Sequence, residues 1–483
     1  MRLVTDKKGT GTMAATTVAP PPQPAATTEP GKVRVLVIST IGFTLMFAVW
    51  LMFGVLGIPI RDEFGLSDVQ LAWITALAVL NGAIWRLPAG LVTDRVGGRK
   101  VMAAMLLFTA IPAYLVSTVT SYQLLLFYAF LVGFAGNSFS VGIAWVSAWW
   151  PRERQGVALG IFGAGNVGAS VTTFIGPALI VAVPAAGYMG GLIPGGWRFV
   201  PFFYAVLLVG MAAITWFASP RHDHRPGAGR TVRQLLVPLK QMRVWRFSLY
   251  YVVTFGAYVA LAAWLPKYYV DVYDQTLSHA ALLTALFIFP ASLLRPVGGW
   301  MSDKVGARRV MYLTFGVMLL ATGILMMPYG YIVLNNPDGT STEVLPWSVG
   351  VQLFTLLVFF IGCSMGIGKA AVYKHIPEYF PHDVGAVGGL VGSLGALGGF
   401  FLPLLFAYTT ALTGMPQSTF FVLFVVTLWA ALWMQWTIHR MLSSASPRLV
   451  NKFEHDHATD AVAADPTPAE PVAVGATTER TEG

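Results

Sequence analysis

The sequence predicts an all-α membrane protein, with twelve transmembrane helices in two pseudo-symmetric six-helix bundles, and three observations predict it. First, 55% of the 483 residues are hydrophobic and only 11% are charged, against about 25% charged in ordinary soluble domains. Second, long apolar stretches alternate with short polar breaks through most of the chain, and many reach the roughly 20 residues needed to cross hydrocarbon. Third, one motif occurs at equivalent places in the two halves. Disorder, a coiled coil and a plain soluble enzyme are excluded by this composition. The single cysteine, Cys363, rules out a disulfide framework and a cysteine-based metal site.

The chain opens with a polar segment, 1–32, whose run of Pro, Ala and Thr predicts a disordered cytoplasmic tail. No apolar stretch directly follows its basic residues, so no cleaved leader is expected. The N-terminal six-helix bundle is predicted over 33–218, with spans near 33–60, 68–91, 100–119, 122–149, 155–182 and 198–218. A cytoplasmic linker, 219–243, divides the halves and carries Arg221, Arg225, Arg230, Arg233, Lys240 and Arg243. The C-terminal bundle is predicted over 244–441, with spans near 244–270, 279–301, 308–330, 347–378, 384–410 and 417–441. A second disordered cytoplasmic tail is predicted over 442–483. The other basic turns, Arg95/Arg99/Lys100, Arg152/Arg154 and Lys304/Arg308/Arg309, fall on the same side as the linker, while the loop at 331–346 has no Lys or Arg. Basic loops stay inside, so a multi-pass protein of the cell's inner (plasma) membrane with both termini cytoplasmic is expected. The net charge of +9 then reports topology, and no nucleic-acid partner is expected.

The repeat reads Gly90-Leu-Val-Thr-Asp94-Arg95-Val-Gly97-Gly-Arg99-Lys100 after span two. After span eight it reads Gly299-Trp-Met-Ser-Asp303-Lys304-Val-Gly306-Ala-Arg308-Arg309, 209 residues later at every matched position. Glycine permits a tight turn, and the aspartates can pair with basic groups or helix N-termini. Here the chain resembles the major facilitator superfamily, whose loop signature between spans two and three these residues match. That resemblance implies the major facilitator fold, with alternating access around a central site. Asp94, Arg95, Asp303 and Lys304 are then gating or structural residues.

Ionisable groups inside a membrane are costly and mark function. Arg86 precedes Asp94 by eight residues, about 12 Å along a helix, and Arg295 stands at the same offset before Asp303. Lys369 and Lys374 lie in span ten, and against these four cations the sequence shows no acid mid-span. Two buried guanidiniums without carboxylates point to an anionic substrate. Glycines crowd spans four, five and eleven, among them Gly163, Gly165, Gly392 and Gly395. They let helices approach closely and suit a compact solute.

The glycine runs of spans five and eleven resemble the signature of the nitrate/nitrite porter family. The resemblance implies that Arg86 and Arg295 bind the anion with Asn166, Phe139, Tyr251 and Phe255. The substrates are then nitrate and nitrite, a cytoplasmic nitrate reductase is the expected functional partner, and a monomer in the lipid bilayer is expected. Aligning Phe380-Pro381 with Trp150-Pro151 sets Lys369 opposite Phe139. Unlike arginine, lysine can release its proton, which makes Lys369 the candidate for proton coupling. Entry of an anion into a negative-inside cell opposes about 2.3 kcal/mol per charge per 100 mV. Proton-linked nitrate uptake is therefore the expected activity, with nitrate/nitrite exchange as the alternative and an anion channel or another small-anion transporter of the same superfamily as a third. No metal cluster, nucleotide loop or nucleophile constellation supports an enzyme, and no cofactor is expected.

Overall fold

The computed structural model describes residues 31–225, 237–335, 341–380 and 384–444, with the side chains of 152–156, 331–335, 341–346, 377–378, 384–386 and 441–444 excepted. Most of both expected tails, the linker residues Arg230 and Arg233, and the side chains of Arg152 and Arg154 thus lie outside the described residues. The described residues belong to one compact unit.

Among the described residues ten helices and two bent helix pairs are long and apolar enough to cross a membrane, twelve spans with each pair taken as one. In the first half they are α1 Lys32–Phe64, α2 Asp68–Ile84 with Arg86–Val96, α3 Gly98–Ser117, α4 Tyr122–Trp149, α5 Val157–Ala182 and α6 Gly196–Ala218. In the second they are α7 Met242–Tyr273, α8 Leu277–Leu293 with Arg295–Val305, α9 Ala307–Leu325, α10 Val351–Ile376, α11 Val387–Thr413 and α12 Ser418–Arg440. Each corresponds to a span expected from hydropathy. A hairpin of β1 Gly330–Asn335 and β2 Ser341–Trp347 pairs antiparallel between α9 and α10, where the sequence predicts only a loop.

Local chemistry repeats with the same offset of 209 residues. Ser67 caps α2 through the Gln70 amide, and Thr276 caps α8 through the His279 amide. A capped N-terminus satisfies donors that would otherwise be unpaired. Gly97 and Gly306 break the chain before α3 and α9 with φ of 100° and 90°, a backbone region that side chains disfavour. That is why the repeated motif carries glycine there.

α2 and α8 are bent by 42° and 44°, at Trp85 and Leu294, just ahead of Arg86 and Arg295. Pro88 and Pro296 follow the bends, and proline removes a helix donor and crowds the preceding turn. Across the middle, α2 packs on α11, α5 on α8 and α1 on α7. The outer face shows Ile111, Phe127, Phe217, Leu320, Leu412 and Trp429, a large apolar exposure suited to lipid.

The bundle end remote from the described termini is tied by charge. Arg61 of α1 pairs with Asp271 of α7 at 2.9 Å, and Lys267 of α7 pairs with Asp271 at 2.6 Å and with Asp68 of α2 at 2.9 Å. Lys267 is buried and is a further cation within a span, beyond the four expected from the sequence. Asp271→Asn is expected to lower the stability of the purified protein by about 1–3 kcal/mol, because it leaves Lys267 and Arg61 short of an acceptor. An unchanged melting curve would show the network to be energetically idle.

Candidate functional site

The two bends deliver Arg86 and Arg295 to the middle of the protein. Their guanidinium carbons each lie 5.6 Å from the centroid of the Phe139 ring, so the two carbons are within twice that distance of each other. Phe139 therefore lies beside both cations, its π-face attractive to each. Arg86 is also 5.7 Å from the Trp50 ring and 5.3 Å from the Phe255 ring, and Arg295 is 5.5 Å from the Tyr373 ring.

Hydrogen bonding separates the two arginines. Arg86 is 2% exposed; its Nε donates to the Gly82 carbonyl at 2.9 Å and its Nη1 to the Gly392 carbonyl at 3.0 Å. The second bond links α2 to α11. Nη2 of Arg86 and Nη1 of Arg295 are buried with no partner, and so are both amide atoms of Asn166. Among the described residues neither arginine pairs with a carboxylate. A buried charged donor without a partner is expensive, and an oxyanion would satisfy such donors directly.

The wall of the site comes from α7. Tyr251 precedes a π-helical turn, Val252–Gly256, that contains Phe255, and the two rings stack 5.0 Å apart with 10° between planes. They form one side wall rather than a sandwich around a solute. Tyr373 meets Tyr251 edge-on at 5.1 Å and donates to the Gly388 carbonyl at 3.1 Å. Asn166 sits on a 3₁₀ turn, Ala164–Val167, within α5. Single turns of altered helix inside a span re-aim side chains and recur at functional sites.

The glycines set how closely this shell is drawn. A Cβ on Gly395 would lie 2.3 Å from the Tyr251 ring, one on Gly392 2.8 Å from the Tyr373 hydroxyl, and one on Gly165 2.6 Å from the Phe43 ring. A Cβ on Gly163 would come 3.2 Å from Nη1 of Arg295. Lys369 is fully buried; Nζ lies 5.7 Å from the Phe255 ring centroid and 3.3 Å from that of Tyr258.

The structure thus gathers Arg86, Arg295, Phe139, Tyr251, Phe255, Lys369, Gly163, Gly392 and Gly395 into one place, with Asn166 and Gly165 on the adjoining turn of α5. Asp94, Arg95, Asp303 and Lys304 lie at the repeated turns, away from it. Lys374 is a correction to the sequence count of uncompensated cations: it pairs with Asp303 at 2.6 Å. Trp50, Tyr258 and Tyr373 join the site unannounced. Tyr258 carried a signal, being seven residues after Tyr251 and three after Phe255 on one helical face. Asp223 of the linker was missed as well. It accepts from the indoles of Trp145 and Trp149 at 3.1 and 2.8 Å and from the Arg99 amide at 2.8 Å, fixing the start of α3.

Comparison with known proteins agrees with this architecture. The chain matches the Major Facilitator Superfamily over residues 38–335 and 275–461. It is 69% identical over 426 residues to a probable nitrate/nitrite antiporter, NarK1, of Thermus thermophilus, covering 88% of this chain and 96% of that one. It is 30% identical to the nitrite extrusion protein of Bacillus subtilis (strain 168), covering 83% of this chain and 94% of the relative. Among solved structures, a bacterial homologue of the human lysosomal transporter Spinster aligns with a TM-score of 0.66 at 16% identity, covering 87% of this chain and all of that one. A D-xylose–proton symporter aligns with a TM-score of 0.62 at 13% identity, covering 84% and 97%. These two show the fold alone. A transporter family, with relatives matched over nearly their whole length, sets the enzyme class aside. The chain is a multi-pass membrane protein belonging to the nitrate/nitrite porter family of the Major Facilitator Superfamily.

Proposed function

We propose that this protein exchanges nitrate for nitrite by alternating access, binding either anion between Arg86 and Arg295. The observation that carries the reading is the set of buried, unpartnered donors on Arg86, Arg295 and Asn166, beside two fixed positive charges with no paired carboxylate among the described residues. Planar oxyanions match guanidinium forks in shape and charge. Exchange replaces the proton-linked uptake expected from the sequence. The 69% identical relative is named an antiporter, and the Lys369 ammonium already donates to the Ala291 carbonyl at 3.0 Å. Swapping two monovalent anions also moves no net charge against the membrane potential. The basic turns around Arg95, Arg99, Lys304 and Arg308 support a cytoplasmic position for the end that carries the described termini, which puts the Arg61–Asp271–Lys267 network on the outer side.

Reconstituted vesicles test the reading. Labelled nitrate is expected to enter vesicles loaded with nitrite or nitrate, at a rate that an imposed pH gradient leaves unchanged. Accumulation driven by an inward proton gradient into vesicles free of both anions would replace exchange with symport.

A further inference from the structure

The internal repeat is broken at one atom beside the site. In α2 the carbonyl of Gly82, four residues before Arg86, accepts from Arg86's own Nε at 2.9 Å. Ala291 occupies the equivalent place, four residues before Arg295 and 209 after Gly82. Its carbonyl accepts from Nζ of Lys369 on α10 instead, at 3.0 Å.

The lysine is held by a closed set of neighbours at the α8 bend. Its ammonium lies 3.3 Å from the centroid of the Tyr258 ring. The hydroxyl of Tyr258 shares a hydrogen bond with Ser292 at 3.1 Å, and Ser292 is next to Ala291. Gly366 of α10 would meet the Pro290 carbonyl at 2.7 Å if it carried a Cβ, so α10 lies directly against the bend. Arg86, in contrast, has two of its three nitrogens committed, to Gly82 and Gly392. For Arg295 the equivalent carbonyl, that of Ala291, is taken by Lys369, and its Nη1 is buried without a partner.

We propose that Lys369 is a positioning residue: by occupying the Ala291 carbonyl it keeps Arg295 from folding back on its own helix and so leaves that guanidinium free for the anion. Arg86 is the fixed arm of the site and Arg295 the free arm. Lys369 acts through Ala291 and Tyr258 and does not touch the transported anion. This inference rests on the anion-binding reading of the two arginines and assigns the lysine a role other than carrying a proton.

Two variants at Lys369 test it in the full-length protein, with labelled nitrate entering nitrite-loaded vesicles. Lys369→Met keeps the length and removes the donor; Lys369→Gln removes the charge and keeps a donor. The expected result is a rise of about tenfold in the nitrate KM for Lys369→Met with turnover little changed, and an intermediate KM for Lys369→Gln. An ammonium that contacts the anion would make both variants fail alike. A proton carrier would leave KM in this exchange untouched in both. Either result overturns the proposal. A high-resolution structure of Lys369→Met gives a second readout: Nε of Arg295 is expected on the Ala291 carbonyl, as Nε of Arg86 is on that of Gly82, and an unmoved Arg295 contradicts the inference. If the Lys369 variants fail to fold, Tyr258→Leu removes the ring beneath the ammonium and is expected to raise KM in the same direction, an unchanged KM counting against the proposal. If the wild-type protein exchanges no nitrate for nitrite, the functional reading fails by itself, and the position of Arg295 in the Lys369→Met structure decides the role of Lys369.

Discussion

Arg295→Lys is expected to reduce nitrate transport at least about a hundredfold while leaving the protein folded, and Arg86→Lys to reduce it as far. Lysine keeps the charge and loses the planar fork, and each charge-assisted hydrogen bond lost costs about 1.5–3 kcal/mol. The two variants differ in a second respect. Arg86 also ties α2 to α11 through the Gly392 carbonyl and packs near the rings of Trp50, Phe139 and Phe255. Arg86→Lys should therefore lower the melting temperature as well, whereas Arg295→Lys should leave it nearly unchanged. Initial rates in vesicles together with melting curves in detergent separate these effects. Near-normal rates in both variants would remove the arginines from the binding site.

Gly168→Ala is expected to abolish the yield of folded protein, and Gly160→Ala to leave it intact. Both glycines belong to one run in α5. A Cβ on Gly168 would lie 2.0 Å from the Thr44 carbonyl oxygen and 3.0 Å from the Ala48 amide. Those are backbone atoms of α1, so relief requires the two helices to separate. Overpacking that shifts a backbone costs about 1–3 kcal/mol and at times more. A Cβ on Gly160 meets nothing within 4 Å. The yield of monodisperse protein after purification checks the pair, and equal yields would show that α1 and α5 do not pack this closely.

This contrast shows where the sequence is legible. Hydropathy locates every span, because lipid imposes a minimum length of apolar helix. The repeat predicts Gly97 with Gly306 and Arg86 with Arg295 as pairs, because both members face the same local constraint. It does not tell Gly160 from Gly168, since which glycine faces a neighbour depends on helix rotation. The hairpin between α9 and α10 reads as a loop because its strands of six and seven residues are far too short to give a span signal. The uncompensated charge of the site was overstated by including Lys374, whose partner Asp303 is far away in sequence, and Lys267 was overlooked although Asp68 and Asp271 neutralise it. Trp50 and Tyr373 enter the site through packing alone. For Lys369 the sequence suggests proton exchange, and only the hydrogen bond to Ala291 points to support of Arg295 instead.

The central claim is that Arg86 and Arg295, each 5.6 Å from the Phe139 ring, hold the transported anion. A high-resolution structure of the protein saturated with nitrate tests it most directly. The account requires planar density within hydrogen-bond distance of Nη2 of Arg86 and Nη1 of Arg295, against the wall formed by Tyr251 and Phe255. Nitrate bound elsewhere, with those donors still unpartnered, would contradict it.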